Sequence, residues 1–81
     1  IIYPNPFNQD LQIIGLPGET YTLQLYAIDG RFIEEQIVSF DPNTGITNPL
    51  DFHFQHQLSA GVYLLHWTAT DQHGVIRMVK M

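Results

Sequence analysis

The chain predicts an antiparallel β-sandwich, and three observations predict it. Apolar and polar residues alternate with period two in several short runs, those runs recur every 8 to 12 residues or so between turn signals, and no stretch keeps a helical period. The run from Leu58 to Ala69, Leu-Ser-Ala-Gly-Val-Tyr-Leu-Leu-His-Trp-Thr-Ala, is the longest in which a turn feeds an apolar strand. Ser59, Ala60 and Gly61 are small enough for a sharp bend. From Val62 to Thr70 the odd positions Tyr63, Leu65, Trp67 and Ala69 are apolar, which turns Tyr63, Leu65 and Trp67 toward a core. Val62 and Leu64 break the alternation, as a central strand partly covered on its second side would.

Taken in order, Tyr3-Pro4-Asn5-Pro6-Phe7-Asn8 excludes helix and predicts a stiff opening turn. Leu11, Ile13 and Ile14 form a short strand ended by Gly15 and the Pro17-Gly18 turn. Tyr21 to Ile28 is a clear strand with Tyr21, Leu23, Leu25 and Ala27 on one face. Asp29-Gly30 signals a hairpin, because Gly30 accepts a positive φ and Asp29 tolerates one. Phe32 to Phe40 returns antiparallel. There the adjacent Glu34 and Glu35 require an edge or a bulge, after which Ile37 and Val38 rejoin the core.

Asp41-Pro42-Asn43-Thr44-Gly45 is a turn cluster, and Pro49 points to an edge position for the strand that follows. In that strand Leu50, Phe52 and Phe54 alternate with Asp51, His53 and Gln55. Asp71-Gln72-His73-Gly74 then turns the chain into a last strand, Val75 to Lys80.

Composition narrows the function. With 81 residues there is room for one domain, and an apolar fraction of 44% with one Trp, four Tyr and five Phe is ample for a core. A formal charge of −5 with only Arg31, Arg77 and Lys80 as cations offers no basic face for nucleic acid. No apolar run is long enough to span a bilayer, so direct membrane insertion is not expected. The absence of cysteine removes disulfides and thiol chemistry without assigning a compartment. Ile1-Ile2-Tyr3 opens in mid-pattern without an initiator Met, which we read as a piece of a longer chain.

Reaction chemistry is poorly served. Asp10, Asp29, Asp41, Asp51 and Asp71 fall in or beside turns, where bonds to the backbone account for them. Asp51 and His53 share one strand face, and His66 would complete a metal site only if its strand were a neighbour; a solvated face is the simpler reading. His53 and His56, three apart, lie on opposite faces of a regular strand. Ser39 and Ser59 lack a nucleophile's surroundings. Tyr26, Tyr63 and Trp67 would make a sugar-stacking platform if exposed, although aromatics at period two more often fill a core. Neither enzyme activity, nor a cofactor, nor a metal is expected.

Four pieces in sequence carry a resemblance: Tyr3-Pro4-Asn5-Pro6-Phe7-Asn8, Leu25-Tyr26-Ala27-Ile28-Asp29-Gly30-Arg31, Leu58-Ser59-Ala60-Gly61-Val62-Tyr63-Leu64-Leu65 and Ile76-Arg77-Met78-Val79-Lys80. Together they span nearly the whole chain, and it resembles the type A C-terminal sorting domain of the Bacteroidetes type IX secretion system. Ala27 stands where that family often has an acidic residue or Asn, and Arg77 where it commonly has Lys. The resemblance implies an immunoglobulin-like sandwich that labels an attached cargo protein. The cargo crosses the periplasm and is recognised at an outer-membrane translocon. A sortase-like protease then joins it to the cell surface.

The expected recognition surface is Val75 to Lys80 with the Gly30-Arg31 turn: Gly30, Arg31, Gly61, Tyr63, Arg77, Val79 and Lys80. Each also has a purely structural reading, Gly30 as a hairpin residue, Gly61 as a bend and Val79 as core. An edge strand further predicts pairing with a receptor strand and a weak homodimer. Two other roles are weighed beside sorting. One is an assembly module similar to the immunoglobulin-like part of flagellar hook-capping proteins, and the other is a carbohydrate-binding module of a secreted enzyme.

Overall fold

A computed structural model describes residues 2–3, 6–8, 10–42 and 50–81, except for the Tyr3 side chain. The described residues form seven strands and no helix: β1 (Ile2–Tyr3), β2 (Leu11–Ile13), β3 (Thr20–Ala27), β4 (Phe32–Ser39), β5 (Leu50–Phe52), β6 (Gly61–Thr68) and β7 (His73–Lys80). They make two antiparallel sheets, one ordered β1-β2-β5 and the other β4-β3-β6-β7. The predicted all-β sandwich is thus the observed fold.

Period-two alternation decides which side chains meet between the sheets. Tyr21, Leu23, Leu25 and Ala27 of β3 are buried, and Leu25 pairs with Leu65 of β6, which pairs with Ile76 of β7. Ile2, Leu11, Ile13 and Phe52 come from the smaller sheet to the same cluster. Tyr63, Leu65 and Trp67 point inward as expected, with Leu65 only 1% exposed.

The β3–β4 hairpin follows from Asp29-Gly30. The Gly30 N–H donates to the Ala27 carbonyl (2.9 Å) and the Ala27 N–H to the Arg31 carbonyl (2.8 Å), enclosing the three-residue loop 28–30. Asp29 Oδ1 accepts the Arg31 N–H (3.1 Å), and Gly30 holds a φ of +92° that a Cβ would oppose. The register then shifts between Leu25 and Tyr26. That bulge sets the facing of β4. Glu34, Gln36 and Val38 lie on the core side opposite Leu25, Leu23 and Tyr21, whereas Ile37 pairs with Thr22 on the outer face and is 66% exposed. The expectation that Ile37 joins the core is therefore corrected; Val38 packs against it.

Two boundaries also move. The last turn closes at residues 69–72, where the Ala69 N–H donates to the Gln72 carbonyl (2.8 Å), so β7 begins at His73 and not Val75. Gly74 is a strand residue opposite Trp67, and a Cβ there would come within 2.6 Å of the indole Nε1. The strand begun at Leu50 stops at Phe52; beyond it residues 53–56 turn toward β4, with Phe54 still packed on the core. The turn expected at Asp41 to Gly45, the edge proline Pro49, and Pro4 and Asn5 of the opening turn lie wholly or partly outside the described residues.

Candidate functional site

Strand polarity gathers the predicted recognition residues at one end of the larger sheet. There β3 finishes at Ala27, β4 starts at Phe32, β6 starts at Gly61 and β7 finishes at Lys80. Gly61 pairs with Lys80, Val62 with Val79, Tyr63 with Met78 and Leu64 with Arg77, so five of the seven residues lie on two neighbouring strands. Ala27 pairs with Tyr63. The loop carrying Gly30 and Arg31 therefore lies at that same end, about two strand spacings, or roughly 10 Å, from β7.

These residues divide between two faces. Arg77 and Val79 share the outer face with Leu64 and Val62, whereas Tyr63 and Lys80 belong to the inner side. The Tyr63 hydroxyl donates to the Ser59 carbonyl (2.7 Å) and fixes the bend that leads into Gly61, whose φ is +155°. Lys80 Nζ donates to the Met81 carbonyl (2.9 Å). Beside Lys80 runs an open groove of about 320 Å³ lined by Phe7, Asp10, His53, Phe54, His56 and Leu58 among others.

Sequence reasoning missed two features here. The first is Phe7, which is 2% exposed and bridges Lys80 in parallel. Its N–H donates to the Val79 carbonyl and its carbonyl accepts the Met81 N–H, both at 2.8 Å. The outer edge at the end of β7 is therefore already occupied. Flanking prolines marked the turn but gave no sign of its partner.

The second is Glu34, 7% exposed and facing the core. Its carboxylate accepts from the Gln36 amide (2.6 Å), the His56 N–H (2.9 Å), the Gln55 N–H (3.1 Å) and the His56 ring at Nδ1 (3.0 Å). Burial by itself raises its pKa, yet the bonds from Gln36, His56 and Gln55 together outweigh burial and hold it below the usual carboxylate value. Gln36 also donates to the His53 carbonyl (3.1 Å), so the 53–56 strap is tied to β4 at several points. Glu19 is held low in the same way, by the Thr70 N–H (3.1 Å) and hydroxyl (2.8 Å).

The weaker constellations weighed from the sequence do not assemble. Asp51 lies on the outer face of the smaller sheet, bonded to Gln12 (3.2 Å), while His66 is on the outer face of the larger one against Tyr26. His53 follows β5, so the three cannot share an ion. No group of three His, Cys, Asp or Glu side chains among the described residues is placed to hold a metal. Nor do Tyr26, Tyr63 and Trp67 form one platform: Tyr26 faces outward beside Phe32, whereas Tyr63 and Trp67 pack on the core.

No curated protein and no solved structure matches the chain. A family model described as the secretion system C-terminal sorting domain matches residues 1–81, its full length. A seven-stranded sandwich with its terminal strand at a sheet edge, carrying the four motif pieces in order, thus belongs to the C-terminal sorting domain family of type IX secretion.

Proposed function

We propose that this chain is a non-catalytic export label, one module of a longer exported protein. It directs the attached cargo through the periplasm to the outer-membrane translocon of type IX secretion, after which a sortase-like protease cuts upstream and the cargo is attached to the surface or released. The full-length family match carries this reading. The gathering of Gly30, Arg31, Gly61, Tyr63, Arg77, Val79 and Lys80 at one sheet end supports them as the region the translocon reads. Of these, Gly30 and Tyr63 serve by shaping the surface, and Arg31 and Arg77 by presenting charge. A weak homodimer through an edge strand would use β4, since Phe7 takes the edge groups at the end of β7.

The test appends residues 1–81 to a soluble periplasmic reporter in a bacterium that carries the type IX system. Reporter on the cell surface or in the medium is the expected result, and its loss on deleting Val75 to Met81 should follow. Accumulation of the intact fusion in the periplasm would overturn the proposal.

A further inference from the structure

We infer that residues 53–56 form a strap that opens as one unit while both sheets stay folded, with Glu34 as its latch and the groove beside Lys80 as the space it closes. The device goes beyond the sorting reading and depends only on the folded chain.

Side chains alone hydrogen-bond the strap to the rest of the fold. None of residues 53–56 shares a backbone–backbone hydrogen bond with another described residue, whereas β5 before them and β6 after them are held by sheet pairing. The chain is anchored on both sides, at Phe52 where β5 ends and at Ser59, whose carbonyl accepts the Tyr63 hydroxyl (2.7 Å). Between those anchors the hydrogen bonds run to two residues of β4, Glu34 and Gln36. The one apolar hold is Phe54, whose ring lies 5.1 Å from Phe52 and 6.1 Å from Phe7. A segment with so few buried apolar contacts and no ladder of its own opens at a lower free energy than the sheets around it.

Gln36 makes the opening a single event. Its amide donates both to Glu34 Oε2 (2.6 Å) and to the His53 carbonyl (3.1 Å), so losing the first bond loosens the second. Each oxygen of Glu34 takes one strap N–H, Oε1 that of His56 and Oε2 that of Gln55. The carboxylate is 7% exposed when the strap is closed, and water replaces the strap donors when it opens, so the charge is never left buried without partners. Opening withdraws His53, Phe54 and His56 from the groove and leaves Phe7, Asp10 and Lys80 of its lining in place. Apolar surface of Phe52 and Phe7 is then bared beside Lys80.

Native-state amide exchange of the 81-residue chain provides the test. Gln55 and His56 should share one protection factor, about tenfold or more below those of Leu25 and Leu65 in the paired strands β3 and β6, and low urea should change it little because a short strap uncovers little surface. Glu34→Gln should lower the protection of both amides by about tenfold, since an amide has one acceptor oxygen and must set its NH2 against one of the two strap N–H groups. Gln36→Met removes a residue that bonds to neither amide, and it should lower both as well. Protection at Gln55 and His56 that falls with urea as steeply as at Leu25 and Leu65 would mean that the strap opens only when the molecule unfolds, which overturns the proposal. This wild-type comparison decides the matter even where Glu34→Gln does not fold. Unchanged protection of both amides in a folded Gln36→Met protein overturns the single opening event, and the proposal with it.

Discussion

Glu34 shows what one buried carboxylate does in a chain this short. Four donors converge on it, and two are backbone N–H groups of a strap with no strand partner of its own. Replacing it with Gln removes the charge that makes those bonds strong, and Ala leaves the donors unsatisfied; Glu34→Ala should cost about 1–3 kcal/mol in urea unfolding. The pH dependence has a definite sign. Because its folded pKa lies below the ordinary carboxylate value, the stabilisation is complete above that value and is lost as pH falls through the lower, folded one. Unfolding midpoints should therefore drop on acidification below about pH 4, and the drop should be smaller in Glu34→Gln. Sequence reasoning saw that the Glu34-Glu35 pair needed an edge or a bulge, and both are present. The identity of the inward residue depended on the bulge at Tyr26, where one residue of slip reverses every facing that follows; hence Ile37 was misplaced while Glu34 went unnoticed.

At the scale of the strand, β6 and β7 divide what was legible from what was not. The inward set of β6 followed from alternation alone, because Tyr63, Leu65 and Trp67 are apolar at period two and sit in an interior strand. The start of β7 did not, since Gly74 reads as a turn residue in isolation. Its place is set by Trp67 on the neighbouring strand, whose indole lies where a side chain would stand. A methyl group at Gly74 would meet the rigid ring system at 2.6 to 2.9 Å, so either the indole or the strand must move. Gly74→Ala is expected to lose about 1–3 kcal/mol, the range for overpacking, and to change the Trp67 emission of the folded protein. The same reasoning explains the candidate site. Its motif residues could be named from the sequence, but their division between an outer face and an inner edge required the register of β6 with β7.

Across the whole molecule, the two ends of the described chain are joined. Phe7, the seventh residue, bonds the backbone of Val79 and Met81, and its ring packs at 6.1 Å from Phe54, which in turn meets Phe52 at 5.1 Å. One residue thus links the early segment, the smaller sheet and the terminal strand, through its ring on Phe54 and its backbone on Val79 and Met81. A domain of this size holds few kcal/mol in reserve, and removing a buried Phe side chain costs about 3–5 kcal/mol. Phe7→Ala should accordingly remove most of the stability measured by denaturant. Phe7→Leu separates the ring from the backbone bonds. It should retain a folded domain, and slow amide exchange at Met81, whose N–H is held by the Phe7 carbonyl, should persist. Fast exchange at Met81 in an otherwise folded Phe7→Leu protein would mean that the edge at the end of β7 opens readily. A receptor strand could then add there by main-chain pairing.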